Sequence, residues 1–228
     1  MSAPDHAAGR ALVLLHGLGR TRWAMQPLAR EGERRGYRVL NLGYPSRSGD
    51  VATHAERVAE HIVRALPEGP LYVVTHSLGG IVLRAAVARG HLPAARVARA
   101  VMLAPPNQGS ELAEMLWHHP RVGALVRRTL GPAGAEVGVG PDAIVAALPA
   151  VPFELGVIAG DRPLTPFLDV FPGPNDGKVS VARAAVPGMR ELLVVPHTHT
   201  FLMRAPRVQA ATFAFLEHGS FGDHARGA

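Results

Sequence analysis

Cysteine is absent from the 228 residues. That excludes a disulfide framework, a thiolate metal site and a cysteine nucleophile. Long apolar runs are missing as well: none reaches the roughly 18 residues a membrane span needs. The stretch Met1 to Arg10 is polar and lacks the apolar core of a secretory leader. A cytoplasmic location is expected, with lipid contact, if any, peripheral rather than spanning. Lysine is nearly missing: Lys178 stands alone, so the net charge of +6 rests on arginine. Arg30, Arg34, Arg35, Arg57, Arg64, Arg84 and Arg89 are spread at helical spacings, without interleaved aromatics, which argues against a nucleic-acid partner. The length suits one domain, 1–228, with a full core of its own.

What is present is an alternation. Short apolar runs (Ala11–Leu15, Arg38–Leu42, Leu71–Thr75, Ala100–Leu103, Glu154–Ala159, Leu192–Val195) are separated by segments of 3.6-residue period. The period predicts helices over about 23–35, 51–66, 79–90, 110–128 and 205–217. Near-continuous hydrophobic strands alternating with helices indicate an α/β fold with a mostly parallel sheet covered on both faces. In the second helix Val51, Ala55, Val58, Ile62 and Leu66 form one stripe, and Asp50 stands where an N-cap is needed. Residues 107–152 break the alternation with a helical stretch and then a Gly/Pro-rich one. So long an excursion between strands is a lid, a pocket wall or a decorated crossover.

The most informative segment is Thr75-His76-Ser77-Leu78-Gly79-Gly80, between a strand and a helix. A sharp turn there lifts a serine hydroxyl clear of the sheet, and small residues must stand two positions either side. The following helix aims its N-terminal amides at the serine. A serine hydroxyl is a weak nucleophile near neutral pH and needs a base, an orienting acid and an oxyanion site. His199, in the loop after the last strand and ahead of Phe201-Leu202-Met203, is favoured as base over His197. Asp176, in Asn175-Asp176-Gly177, is favoured as acid over Asp161, whose neighbour Arg162 ties it up locally. His16-Gly17-Leu18-Gly19 follows the first strand, and its glycines let the chain bend so that the amides of Leu18 and Leu78 face the nucleophile. It fails as a nucleotide fingerprint, since Arg22 stands at the third glycine position. His197-x-His199 fails as a zinc motif, because Phe201 stands where an Asp is required.

Subsidiary expectations concern the neighbours. His16 should brace its loop, and His76 should point away from the pocket. Asn107 should line the site or cap the helix beginning near Ser110. Ser46 and Ser48 read as loop and cap residues. Trp23, Met25, Met115 and Trp117 read as core or as an acyl-pocket wall.

Taken together, these motifs resemble the lipase/esterase group of the α/β-hydrolase fold, from about residue 11 to 217. Val13 to Gly19 resembles that family's oxyanion strand and loop. Thr75 to Gly80 resembles its nucleophile elbow in the variant with a small residue in place of the first glycine. Asn175-Asp176-Gly177-Lys178-Val179 is similar to the acid turn of bacterial lipases, and His199 falls where their histidine lies. The resemblance implies a minimal form without the first two strands, and serine-dependent ester hydrolysis through Ser77, Asp176 and His199. It implies no cofactor and a small-molecule ester or lipid substrate, with acyl transfer, thioester or amide cleavage, or a non-catalytic binding role as alternatives.

Overall fold

The computed structural model describes residues 9–140, 143–163 and 171–225. The polar stretch Met1 to Arg10 lies mostly outside them, as do Pro141 and Asp142 of the excursion and 164–170 of the Pro-rich loop before Asp176. Six strands, β1 (Ala11–Leu15), β2 (Arg38–Leu42), β3 (Leu71–His76), β4 (Val97–Leu103), β5 (Glu154–Gly160) and β6 (Glu191–Val195), form one parallel sheet in the order β2-β1-β3-β4-β5-β6. The chain leaves β1 to one side and returns to β3 on the other. β1 and β3 therefore flank a switch point, where a crevice opens at the carboxyl ends of the strands.

Helices cover both faces, which explains the unbroken apolar strands. In β1, Ala11, Val13 and Leu15 join one core with α2 (Val51–Ala65) and α3 (Leu78–Ala88). Leu12 and Leu14 join the other, with residues of α1 (Gln26–Arg34) and of the C-terminal helix Pro206–His218. Asp50 caps α2 as expected, its carboxylate accepting from Thr53 N at 2.7 Å. The C-terminal helix begins with Pro206 in its first turn and ends at Gly219 in the left-handed conformation, φ 74°.

The excursion departs most from expectation. Instead of one helix over 110–128 there are two, α4 (Glu111–His118) and α5 (Gly123–Leu130). Pro120 forces the break: it lacks an N–H, and it holds the preceding His119 extended at ψ 124°. Three short helices had no legible period: α6 (Pro132–Glu136), α7 (Ile144–Ala147) and α8 (Val181–Ala184). The C-terminal helix is α9. Among the described residues no helix is long and apolar enough to cross a membrane.

Candidate active site

Ser77 sits at the corner between β3 and α3 with φ 52° and ψ −123°, a conformation costing a non-glycine residue about 1–3 kcal/mol. The surroundings hold it there. Its N–H donates to Leu103 O at 2.9 Å, and its carbonyl accepts from Gly80 N at 2.9 Å. The turn is too tight for side chains on its inner side: a Cβ on Gly79 would lie 2.7 Å from Leu15 O and 2.9 Å from His16 O. Thr75, the unusual member of the elbow, is fully buried and fits on the other side.

The loop after β1 lies against this corner. A Cβ on Gly17 would come within 2.9 Å of Ser77 Cβ, so the loop backbone touches the elbow directly. Its curvature is braced from β2's side. Tyr44 donates its hydroxyl to His16 O at 2.7 Å and its N–H to His16 Nε2 at 3.3 Å, and the two rings stack. Gly19, at φ 65°, donates its N–H to Ser46 Oγ at 3.0 Å. His16 thus braces the loop as expected, and Ser46, read only as a loop residue, shares that work. The N–H groups of Leu18 and Leu78 donate to no other group among the described residues, and both residues line the cavity above Ser77.

That cavity, of about 210 Å³, is also lined by His199. The buried His199 Nδ1 lies 2.7 Å from Asp176 Oδ2. A carboxylate only accepts, so Nδ1 carries the proton, and in the neutral ring that leaves Nε2 as the acceptor. Asp176 is in turn fixed by its turn: Oδ1 accepts from the N–H groups of Lys178 and Val179, each at 2.9 Å. Gly177 at φ 91° makes that bend, while Asn175 Oδ1 accepts from Gly177 N at 2.9 Å. The backbone closes the unit, His199 N donating to Asp176 O at 3.0 Å. The two rival residues are not part of it: Asp161 pairs with Arg162 at 3.5 Å, and His197 does not line the cavity.

Two expectations are corrected. His76 does not point away. It is buried, lines the cavity, packs its ring at a 53° tilt against that of His199 with centroids 4.9 Å apart, and donates from Nε2 to His199 O at 2.9 Å. Because β3 runs one residue further than its apolar run, His76 is paired across to Leu103 and its side chain stays inside. Burial, then the neighbouring His199, pushes its pKa well below the usual histidine range, so it is neutral. Asn107 neither lines this cavity nor caps a helix. It accepts from Arg84 through its carbonyl and Oδ1 and donates to Ala184 O at 2.8 Å, while Ser110 caps α4 itself.

Trp23 is exposed and Met25 is core, and neither Met115 nor Trp117 lines the cavity. The apolar wall comes instead from Leu112, Ala113 and Leu116 of α4, with Leu130 and Val137 beyond it. The i, i+4 spacing of Leu112 and Leu116 is the signal that would have found this face.

Comparison with solved structures finds the same architecture elsewhere. The mature lipase BlEst2 of Bacillus licheniformis superposes with a TM-score of 0.72 at 19% identity, over 94% of each chain. The metagenomic carboxyl esterase MGS0156 gives 0.65 at 24% identity, over 87% of this chain and 66% of that one. The phospholipase PlaB of Legionella pneumophila gives 0.70 at 16% identity, over 96% of this chain and 62% of that one. At these identities the likeness is one of fold: a parallel six-stranded sheet flanked by helices, the α/β-hydrolase architecture of lipases and esterases. No curated protein matches the chain. A family model does match, over residues 1–148, which include the β1 loop, the elbow and most of the excursion; the chain belongs to that family, described as a domain of unknown function, DUF7379.

Proposed function

We propose that the chain hydrolyses carboxylic esters, of small molecules or lipids, with Ser77 as nucleophile, His199 as base and Asp176 as the acid that orients it. The N–H groups of Leu18 and Leu78 serve as oxyanion donors. One observation carries this reading: a serine in a strained corner and a histidine already polarised by a buried carboxylate line the same cavity. His199 takes the Ser77 proton at Nε2 as Oγ attacks the ester carbonyl. The developing oxyanion is met by amides that have no other partner among the described residues and need no reorganisation. His199 then protonates the leaving alcohol, and the acyl-enzyme is hydrolysed by water with His199 again as base. Asp176 holds Nδ1–H and stabilises the imidazolium, and His76 holds the carbonyl behind the ring.

The 107–152 segment acts within a single α/β-hydrolase domain as the acyl-side wall, a role supported by the α4 leucines in the cavity lining. The likeness to a lipase and a carboxyl esterase adds to the reading through the fold they share. In the decisive experiment, Ser77→Ala lowers turnover of p-nitrophenyl hexanoate by ~10³-fold or more, and a fluorophosphonate probe labels the native protein but not the variant. Full activity in the variant would defeat the assignment.

A further inference from the structure

The cavity over Ser77 is apolar on its α4 side, yet two cations reach it from distant parts of the chain. Arg20 arrives from the loop after β1, and Lys178, the sole lysine, from the turn that carries Asp176. Among the described residues no carboxylate lines this space. The acids on the surrounding elements are already engaged. Asp176 is taken by His199 and two backbone N–H groups. Glu111 accepts from Ser180 Oγ and Arg183 Nε, and Glu114 faces His118 and accepts from Val139 N and Gly140 N.

Neither the Arg20 guanidinium nor the Lys178 ammonium has a hydrogen-bond or ion-pair partner among the described residues. Lys178 enters the hydrogen-bond network only through its backbone, its N–H to Asp176 Oδ1 and its carbonyl accepting from Ser110 Oγ. Elsewhere in the chain comparable arginines are tied down: Arg35 and Arg99 to glutamates, Arg84 and Arg96 to carbonyls. The two free cations also work against each other. The Lys178 side chain is exposed at the cavity mouth, yet desolvation first, and then Arg20, lower its pKa, while Asp176 opposes the shift. Like charges held within mutual range beside an apolar cavity are relieved by an anion bound between them. A guanidinium fork and a mobile ammonium together suit an anionic group with two or three oxygens.

We propose that Arg20 and Lys178 select ester substrates bearing an anionic oxygen group, a carboxylate or a phosphate, beside the acyl chain that the α4 leucines accept. The inference rests on the reading of Ser77 as nucleophile, and it narrows the substrate from esters in general to acidic ones of modest size.

The test uses a matched pair, mono-p-nitrophenyl adipate and p-nitrophenyl hexanoate, alike in chain length and differing in the terminal charge. In the native protein the ratio of their kcat/KM values favours the adipate and falls as salt is raised. The ratio drops about tenfold in Arg20→Gln and again in Lys178→Met, as expected when charge-assisted contacts are lost. A ratio unchanged in both variants overturns the proposal. So does a parallel fall for both esters, which would make the cations oxyanion or folding elements. Cleavage of the hexanoate together with Ser77 labelling reports separately on the hydrolase reading. Should neither ester be cleaved, calorimetry with adipate and with inorganic phosphate still decides. Binding to the native protein that is lost in the double variant supports the site, and the tighter anion tells carboxylate from phosphate. No binding of either anion to the native protein overturns it.

Discussion

Two regions meet over Ser77, and they are built on different principles. The carboxyl edge of the sheet, carrying the β1 loop, the elbow, the acid turn and the His199 loop, is fixed by strand pairing and by backbone packed on backbone. The 107–152 excursion has no sheet strand among its described residues; Ala133, Val137, Ala143, Val145 and Val151 set it into the core, and a few polar clamps tie it down as well. Buried Arg84, reaching out of α3, grips both of its ends: Asn107 O and Oδ1 at 2.9 and 3.3 Å, and Leu148 O and Pro149 O at 3.2 Å each. Glu136 accepts from Val51 N at the start of α2, and Ser110 Oγ donates to Lys178 O. The difference is between precision and adjustability. Groups that exchange protons are set by tightly packed backbone, while α4, the main wall of the acyl side, has no fully buried residue of its own.

The largest effect that would sharpen this contrast is kinetic. Asp176→Asn should lower kcat by ~10³- to 10⁴-fold with every ester, because the amide presents an N–H to His199 and favours the wrong tautomer. Leu116→Ala, in the excursion, should change kcat/KM by only about tenfold and in a way that depends on acyl length. Steady-state kinetics over an ester series separates the two patterns. Equal, length-dependent losses in both variants would erase the distinction.

Next in size is a pair of glycine substitutions. Gly79→Ala drives a Cβ into two backbone carbonyls, and overpacking of that kind costs about 1–3 kcal/mol. Gly140→Ala meets only the end of the Glu114 side chain, 3.3 Å from Oε1, where a shift of a few tenths of an ångström is enough. Its cost should stay under about 1 kcal/mol. Urea unfolding of both variants measures the gap, and a Gly140 variant as damaged as the Gly79 one would show the excursion to be equally rigid.

A third test loosens the wall alone. Arg84 carries its charge among carbonyls without a carboxylate, and burial pulls its pKa down to about 10. Arg84→Met keeps the length of the side chain and leaves those carbonyls unpaired, at a cost of about 1–3 kcal/mol. KM should rise more than kcat falls, and fluorophosphonate labelling of Ser77 should persist. Loss of labelling at a temperature where the variant is folded would mean that the clamp also sets the elbow.

The last test is the acid response of three buried rings, His16 and His76 at the sheet edge and His54 in α2. His16, His54 and His76 all have pKa values lowered chiefly by burial. Above about pH 6.5 neither folded nor unfolded forms hold the extra protons. As pH falls below that value the unfolded chain takes them up first. Stability therefore drops by up to about 1.4 kcal/mol per pH unit for each such group, until its folded pKa is reached. Thermal melts at pH 7.5 and 5.5 should show the loss, and His54→Phe should reduce it. A flat profile would contradict the neutral, buried state of these rings.

How much of this could be read in advance depended on whether a feature was local. The elbow, the acid turn and the β1 loop are short runs whose backbone demands small or turn-forming residues, so Gly79, Gly177 and Gly17 announce them without reference to the rest of the chain. Alternating periods likewise determined the strands, the larger helices and the α/β class, because each period reports which faces one element must bury. Only the tertiary structure decided that His76 turns inward beneath His199, that Asn107 and Arg84 clamp the excursion, and that Arg20 and Lys178 meet 158 positions apart. No local pattern encodes those contacts: each depends on sheet order and crossover paths, which bring together residues that have no neighbour relation along the chain.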